Sequence, residues 1–182
     1  ALPIFGILGT DRRMVESDGS GSVVGFDTRY KFNKTYQMEL QTLFSQTQEP
    51  NDSLLVSSTI FGDDNTFTFD GESFTGNAVE LEFRRETEHW GLETGYDHKT
   101  PTFRADNGFI SNNNQRRVYL QSFWVYTPDK LISKIVGGFH TGVEYNFEGE
   151  KKSRYTAFFG NVVLPRQTRL NVNITVIPIN RF

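Results

Sequence analysis

Six acidic residues in the middle of the chain have the residue type and spacing for glycoside hydrolysis, which uses a pair of carboxyl groups. They are Glu80, Glu82, Glu86, Glu88, Glu93 and Asp97. These residues alternate with apolar ones: Val79, Leu81, Phe83 and Leu92. Alternation explains them more simply as the polar face of strands, with Arg84, Arg29 and Lys31 balancing the charge. We therefore expect Glu82, Arg84 and Glu93 to be ligand-binding candidates on a polar interior, without a catalytic role.

A second candidate site is the segment Pro-Thr-Phe-Arg-Ala-Asp-Asn-Gly-Phe at 101–109. Arg104 and Asp106 form a ready ion pair, and Phe103 and Phe109 flank it, so the segment could bind a ligand in a loop. The structural alternative is favoured. The proline would fix the start of the loop, the glycine would permit positive φ, and the aromatic rings would anchor the loop in a barrel mouth.

Metal and nucleophile chemistry find little support. Oxygen-rich loops can bind calcium, and one long polar segment contains Asp63, Asp64, Asn65, Asp70 and Glu72. The spacing of these residues matches no known calcium-binding loop. It favours an ordinary solvated loop. The three histidines, at 89, 98 and 140, are far apart, and Gly-x-Ser-x-Gly is missing. Cysteine is absent, which excludes thiolate ligands and nucleophiles. We expect no metal, no cofactor and no enzymatic activity.

The elements that position these residues are β-strands, because period-two alternation dominates the chain. In one example, Val24, Phe26, Thr28, Tyr30 and Phe32 alternate with Gly25, Asp27, Arg29 and Lys31. The pattern predicts nine strands and no helix. They lie within 2–9, 24–32, 36–44, 79–84, 90–97, 118–126, 135–147, 155–163 and 170–176.

Composition is compatible with a membrane β-barrel. The mean hydropathy is −0.48, typical of soluble proteins, yet a barrel strand exposes only every second residue to lipid. The aromatic content of 14% suits girdles at two membrane interfaces. Acidic and basic residues are interleaved, with a net charge of −3, so nucleic acid is not expected as a partner. No apolar stretch is long enough for a transmembrane helix.

The links between the strands alternate between short and long. Short links are expected at 33–34, 87–89, 127–130 and 165–167, and long polar links at 11–21, 47–76, 99–116 and 149–153. Bacterial outer-membrane barrels have short periplasmic turns and longer external loops. The sequence therefore predicts an antiparallel up-and-down transmembrane β-barrel, with residues 1–182 as a single domain.

Nine strands leave the first and last running in the same direction, whereas single-chain bacterial barrels have an even strand number. Closure would need a parallel seam. We expect the chain to be an incomplete segment of a larger barrel that does not close by itself.

One stretch resembles a known family. Gly95-Tyr96-Asp97-His98-Lys99-Thr100-Pro101-Thr102-Phe103-Arg104-Ala105-Asp106-Asn107-Gly108-Phe109-Ile110, followed by Gln115-Arg116-Arg117, is similar to an element of a Bacteroidetes-type outer-membrane β-barrel domain of unknown function. That domain commonly follows a carbohydrate-binding-module-9-like domain. The resemblance covers most of the chain except 54–69, and it implies an outer-membrane location and a longer parent protein, but no reaction.

These observations favour a structural or transport role in the bacterial outer membrane: passage, anchoring or surface display. The expected partners are outer-membrane lipid, other outer-membrane or periplasmic proteins, or missing strands of the parent chain. Two alternatives stay open, a soluble all-β ligand-binding module (lipocalin-like or a sandwich) and a component of a glycan-processing enzyme. In a membrane barrel one apolar set of residues should point outward to lipid: Phe26, Tyr30, Met38, Leu81, Phe83, Phe139 and Val143. One charged set should share the opposite face of the same sheet, away from lipid: Asp27, Arg29, Glu39, Glu82, Arg84, Glu93 and Glu144. A soluble barrel reverses the two faces.

Overall fold

The computed structural model describes residues 2–15, 17–52, 54–62, 64–105, 112–128 and 132–176, and it consists almost entirely of β-strands. The strands are β1 (Ile4–Arg13), β2 (Ser20–Phe32), β3 (Tyr36–Gln48), β4 (Ser73–Glu86), β5 (Trp90–Lys99), β6 (Gln115–Tyr126), β7 (Lys134–Tyr145), β8 (Lys151–Val163) and β9 (Arg169–Val176). A 3₁₀ turn at Pro165–Gln167 joins the last two strands. The described ranges contain no α-helix, and hence no helix that is long and apolar enough to cross a membrane.

All nine strands belong to one sheet, in the order β1 to β9, and each is antiparallel to its neighbours in sequence. The predicted all-β, up-and-down arrangement is therefore confirmed. Most strands are longer than predicted. β1, for example, continues through the polar run Thr10 to Arg13, which pairs with Ser20 to Val23 of β2. Alternation of apolar residues marks only part of each strand, because backbone pairing does not require apolar side chains.

The links fall at two ends of the sheet, as expected from hairpin connections. One end, the loop end, has the links at 14–19, 49–72, 100–114 and 146–150, and the other, the turn end, has those at 33–35, 87–89, 127–133 and 164–168. The prediction of strict alternation in length was wrong. The link at 146–150 is no longer than the one at 164–168, because β7 and β8 extend to within a tight turn of each other.

The register divides the side chains into two faces. The predicted charged set lies on one side, here called the polar face: Asp27, Arg29, Glu39, Glu82, Arg84, Glu93 and Glu144. The predicted apolar set lies on the opposite side, here called the apolar face: Phe26, Tyr30, Met38, Leu81, Phe83, Phe139 and Val143. The prediction that each set shares one face of a single sheet is confirmed.

Burial is inverted relative to a soluble domain. In the described part of the chain, the buried hydrophobic residues are only Phe74, Ala78, Phe103 and Ala157, while the buried polar residues are Ser45, Thr47, Glu49, Asp97, Thr102, Gln115 and Ser122. Large residues of the apolar face are at least 38% exposed on seven strands: Phe5, Ile7, Val24, Phe26, Tyr30, Met38, Phe44, Val118, Trp124, Tyr126, Tyr145, Phe158, Leu170, Val172, Ile174 and Val176. The packed side of the sheet is thus the polar face.

Glycines on the polar face lie beside aromatic residues on neighbouring strands. A Cβ added at Gly95 would approach the Tyr119 ring to 2.6 Å, and one at Gly142 would approach the Tyr155 ring to 2.8 Å. Each aromatic residue is the direct cross-strand partner of its glycine. Each ring therefore occupies the space that a side chain at its partner glycine would need.

The sheet is open within the described residues. β1 pairs only with β2 and β9 only with β8, so both are edge strands, as the odd strand number predicts. β1 is apolar on both faces over part of its length, since Ile4 and Leu8 lie on the polar face and are 63% and 65% exposed. An exposed, apolar edge of this length is a template for pairing with another strand.

Candidate functional site

The centre of the polar face carries a band of ion pairs across β2 to β6. Arg84 lies between two carboxylates: its Nη2 is 2.7 Å from Glu82 Oε1, and its Nε donates a 3.1 Å hydrogen bond to Glu93 Oε2. The structure therefore brings together Glu82, Arg84 and Glu93, as predicted from alternation. The side chains of Glu82 and Glu93 are 16% and 29% exposed, so they are only partly hydrated.

The band continues toward β6. The Tyr119 hydroxyl donates to Glu82 Oε2 at 3.3 Å, and Arg117 Nε donates to Asp97 Oδ2 at 2.7 Å. Gln115 Nε2 donates to the other oxygen of Asp97, which is buried. Three neighbouring strands, β4 to β6, thus carry interactions in which acidic groups have basic or hydrogen-bonding partners. Such pairing is what a charged face needs when it is partly removed from water.

On the β2 side, Arg29 binds Glu39 through two hydrogen bonds of 2.8 and 3.2 Å. Next to this pair is an open cavity of about 320 Å³, whose polar-face lining is Ile4, Asp27, Arg29, Glu39, Gln41, Glu80 and Glu82. The lining is mainly acidic and has one guanidinium. It could accept water or a small polar or cationic solute.

The loop end of the polar face is covered by the first part of the β5–β6 link. Phe103 is 2% exposed and lies against Gly76 of β4, where a Cβ would overlap the Phe103 backbone. The Arg104 amide donates to Ser45 Oγ at 3.2 Å, and the Asn113 side chain donates to the Phe103 carbonyl. Phe103 therefore anchors this loop over the end of the sheet, which agrees with the structural interpretation of the segment.

Arg104 reaches a partner that the sequence did not indicate. Its Nη1 is 2.7 Å from Oε1 of Glu49, the first residue after β3, whose side chain is 1% exposed. Burial raises the pKa of Glu49 above its ordinary value; Arg104 opposes this effect, and the carboxylates of Glu72 and Asp70 add to it. Asp106 and Phe109, the other two predicted members of the site, lie outside the described residues.

Aromatic residues concentrate on the apolar face at the turn end of the sheet. Phe32 stacks on Tyr36 with ring centroids 5.5 Å apart, and both contact Phe83. The Arg85 guanidinium lies 4.2 Å from the Trp90 ring centroid, and the cross-strand partner of Trp90 is Trp124. This turn-end belt, formed by Tyr30, Phe32, Tyr36, Phe83, Trp90, Trp124 and Tyr126, crosses β2 to β6.

The predicted site residues form two separate groups. Glu82, Arg84 and Glu93 belong to the central band, whereas Phe103 and Arg104 belong to the loop end. Glu82 follows Gly76 by six steps along β4, which puts the groups about 20 Å apart at 3.4 Å per residue. The sequence analysis did not identify Glu49. Because Glu49 follows Thr47 by two residues, and side chains on a strand alternate, it could have been placed on the same polar face as Thr47.

Comparisons of the chain with family models, curated proteins and solved structures found no match.

Proposed function

We propose that this chain forms part of the wall of a bacterial outer-membrane β-barrel, with a structural or transport role and no catalytic chemistry. The observation that carries the proposal is the inverted burial: the charged and hydrogen-bonded side chains are packed, and the large apolar side chains are exposed. In water that arrangement would leave a large apolar surface hydrated, and the favourable free energy of burying it would be lost. In a bilayer it is the expected one, because lipid solvates the apolar face and the polar residues line the interior.

The dimensions support the same proposal. The apolar face of β7 runs from Ile135 to Tyr145, which spans about 33 Å along the strand at 3.3 Å per residue. At the usual tilt of about 40° this corresponds to about 25 Å across a bilayer, the height of the apolar band of outer-membrane barrels. The turn-end belt then lies where an aromatic girdle meets one membrane interface.

The open edges fit a segment that is completed by other strands. Unpaired backbone groups at β1 and β9 would be costly in lipid, which cannot satisfy them. We propose that strands of the same parent chain or of another outer-membrane protein pair with these edges, in keeping with the family resemblance. The polar interior would then serve passage, anchoring or display.

The experiment uses the absence of cysteine, which allows single-cysteine labelling without background. A fluorescent probe is attached at Phe139→Cys on the apolar face or at His140→Cys on the polar face, and the chain is refolded with lipid vesicles. Lipid-attached quenchers should quench the probe at 139, and aqueous iodide should quench the probe at 140. The proposal would be overturned, in favour of a soluble ligand-binding module, if the two positions were quenched equally. A stable monomer that forms without detergent and does not bind to the vesicles would overturn it as well.

A further inference from the structure

The neck of the longest loop, between β3 and β4, contains three carboxylates that the central band does not use. One ligand oxygen each from Glu49, Asp70 and Glu72 lies within 4.8 Å of the other two. Two oxygens bound to the same Ca²⁺ ion are at most about 5 Å apart, since each Ca–O distance is about 2.3–2.6 Å. The spacing of the three carboxylates thus fits one ion.

The cluster also contains an orphaned oxygen. Glu49 is buried, and its Oε1 accepts from Arg104, but its Oε2 has no hydrogen-bond partner in the described chain. A buried carboxylate oxygen without a partner is costly, because water has been removed and nothing replaces it. An ion held with the oxygens of Asp70 and Glu72 would supply the missing partner.

The cluster is acidic, which favours a divalent cation. Three carboxylates converge, and the Arg104 guanidinium lies 2.7 Å from the carboxylate of Glu49, so the side chains of Asp70 and Glu72 add negative charge that a cation would offset. The donor set contains only oxygen, which favours a hard cation over zinc or copper. Mg²⁺ demands nearer-octahedral geometry and dehydrates reluctantly, so it fits a loop with three converging carboxylates less well.

The two sides of the neck are already held in place. The Glu49 amide donates to the Glu72 carbonyl at 2.9 Å, and Gln48 Nε2 donates to the Gly71 carbonyl at 2.6 Å. Thr66 donates its amide to Glu72 Oε2 at 2.8 Å, which orients that carboxylate. Pre-positioned ligands lower the cost of ordering the loop around an ion.

We propose that Glu49, Asp70 and Glu72 form a calcium site that clamps the neck of the β3–β4 loop and, through Arg104, the docked β5–β6 loop. The site contains no EF-hand spacing because its ligands come from both sides of a hairpin rather than from one loop sequence. An affinity of about 0.1–1 mM is expected, as in extracellular modules. The inference does not depend on which face of the sheet meets lipid.

The test is equilibrium dialysis of the folded chain with ⁴⁵Ca²⁺ at neutral pH. One ion per chain is expected, with binding weakened roughly tenfold or more in Asp70→Asn and in Glu49→Gln. Asp64→Asn is the matched control, since it removes the same charge from an exposed residue of the same loop and should leave binding unchanged. Asp70 is exposed, so its variant is expected to fold even if Glu49→Gln does not.

A second readout follows the loop itself. Calcium should slow proteolysis within 54–68 in the unsubstituted chain and in the Asp64→Asn variant, and removal of calcium by a chelator should reverse this protection. The proposal would be overturned if no calcium bound at free Ca²⁺ concentrations up to about 10 mM, ten times the weakest expected dissociation constant. It would also be overturned if Asp64→Asn weakened calcium binding as much as Asp70→Asn, or if Mg²⁺ bound as tightly as Ca²⁺. Undiminished binding in Asp70→Asn would overturn it as well.

Discussion

Phe103 of the β5–β6 link lies directly against Gly76 of β4, on the polar face, with no room for a side chain between them. The contact joins the β5–β6 loop to β4, from which the loop is separated in sequence by all of β5. It explains how the loop end of the polar face is covered.

The first prediction concerns this contact. Gly76→Ala should undock the β5–β6 loop, because the new Cβ would overlap the Phe103 backbone, which cannot rotate away as a side chain can. We expect a loss of about 1–3 kcal/mol in the free energy of unfolding and faster cleavage by trypsin after Arg104. Gly160→Ala is the matched control, since a Cβ there meets nothing within 4 Å. Equal effects of the two substitutions would contradict the docking.

The second prediction concerns the central band. Arg84→Met leaves the carboxylates of Glu82 and Glu93 without their shared guanidinium, and should cost about 1–2 kcal/mol in chemical unfolding. Arg29→Met is the control, because Arg29 and Glu39 are 52% and 33% exposed and their pair should contribute less than about 1 kcal/mol. Adding Glu82→Gln to Arg84→Met should restore part of the loss. No recovery in the double variant would argue against the pairing.

The third prediction separates the two faces energetically and rests on the proposed membrane location. Phe139 lies near the middle of β7, so Phe139→Arg should cost about 2–4 kcal/mol in refolding titrations with lipid vesicles. Phe83→Arg should cost only about 0–1 kcal/mol, because Phe83 belongs to the turn-end belt near an interface. Glu82→Gln, on the polar face, should also be milder than Phe139→Arg. Equal costs at Phe139 and Glu82 would refute the assignment.

The fourth prediction is a pH dependence at the β7–β8 loop. Hydrogen bonds from the Asn114 side chain hold the pKa of Glu148 below its ordinary value of 4.5. A depressed pKa means that Glu148 stabilises the folded loop above pH 4.5, and that this contribution is lost as the pH falls through the lowered pKa. The protection factors of residues 112–114 and 146–150 in hydrogen exchange, which correct for the slower intrinsic exchange in acid, should fall as the pH is lowered, and Glu148→Gln should remove that part of the response. An unchanged profile in the variant would exclude Glu148 as its source.

Much of the fold follows from the sequence because alternation is a local signal. Leu81 and Glu82 point to opposite sides of any strand, whatever its partners are, so the faces and the nine strands could be predicted. The strand ends could not. Residues such as Thr10 to Arg13 are polar, and only the register with β2 shows that they are paired.

The central band could be anticipated in part. Glu82, Arg84 and Glu93 share the parity of one face and are close in sequence, and a hairpin between β4 and β5 brings Arg84 opposite Glu93. Tyr119 and Arg117 come from β6, so their bonds to Glu82 and Asp97 depend on how far each strand is shifted against the next. Register is not encoded in alternation alone.

The sequence by itself determined that the described part of this protein is a nine-stranded antiparallel sheet with one charged and one apolar face, because side chains on a strand alternate by geometry. Only the tertiary structure decided that Arg104 binds Glu49, 55 residues away, and that Glu49 meets Asp70 and Glu72. Those contacts require two loops to fold over the same end of the sheet. Their positions depend on the docking of Phe103 against Gly76 and on the pairing of the loop neck, which no local pattern specifies.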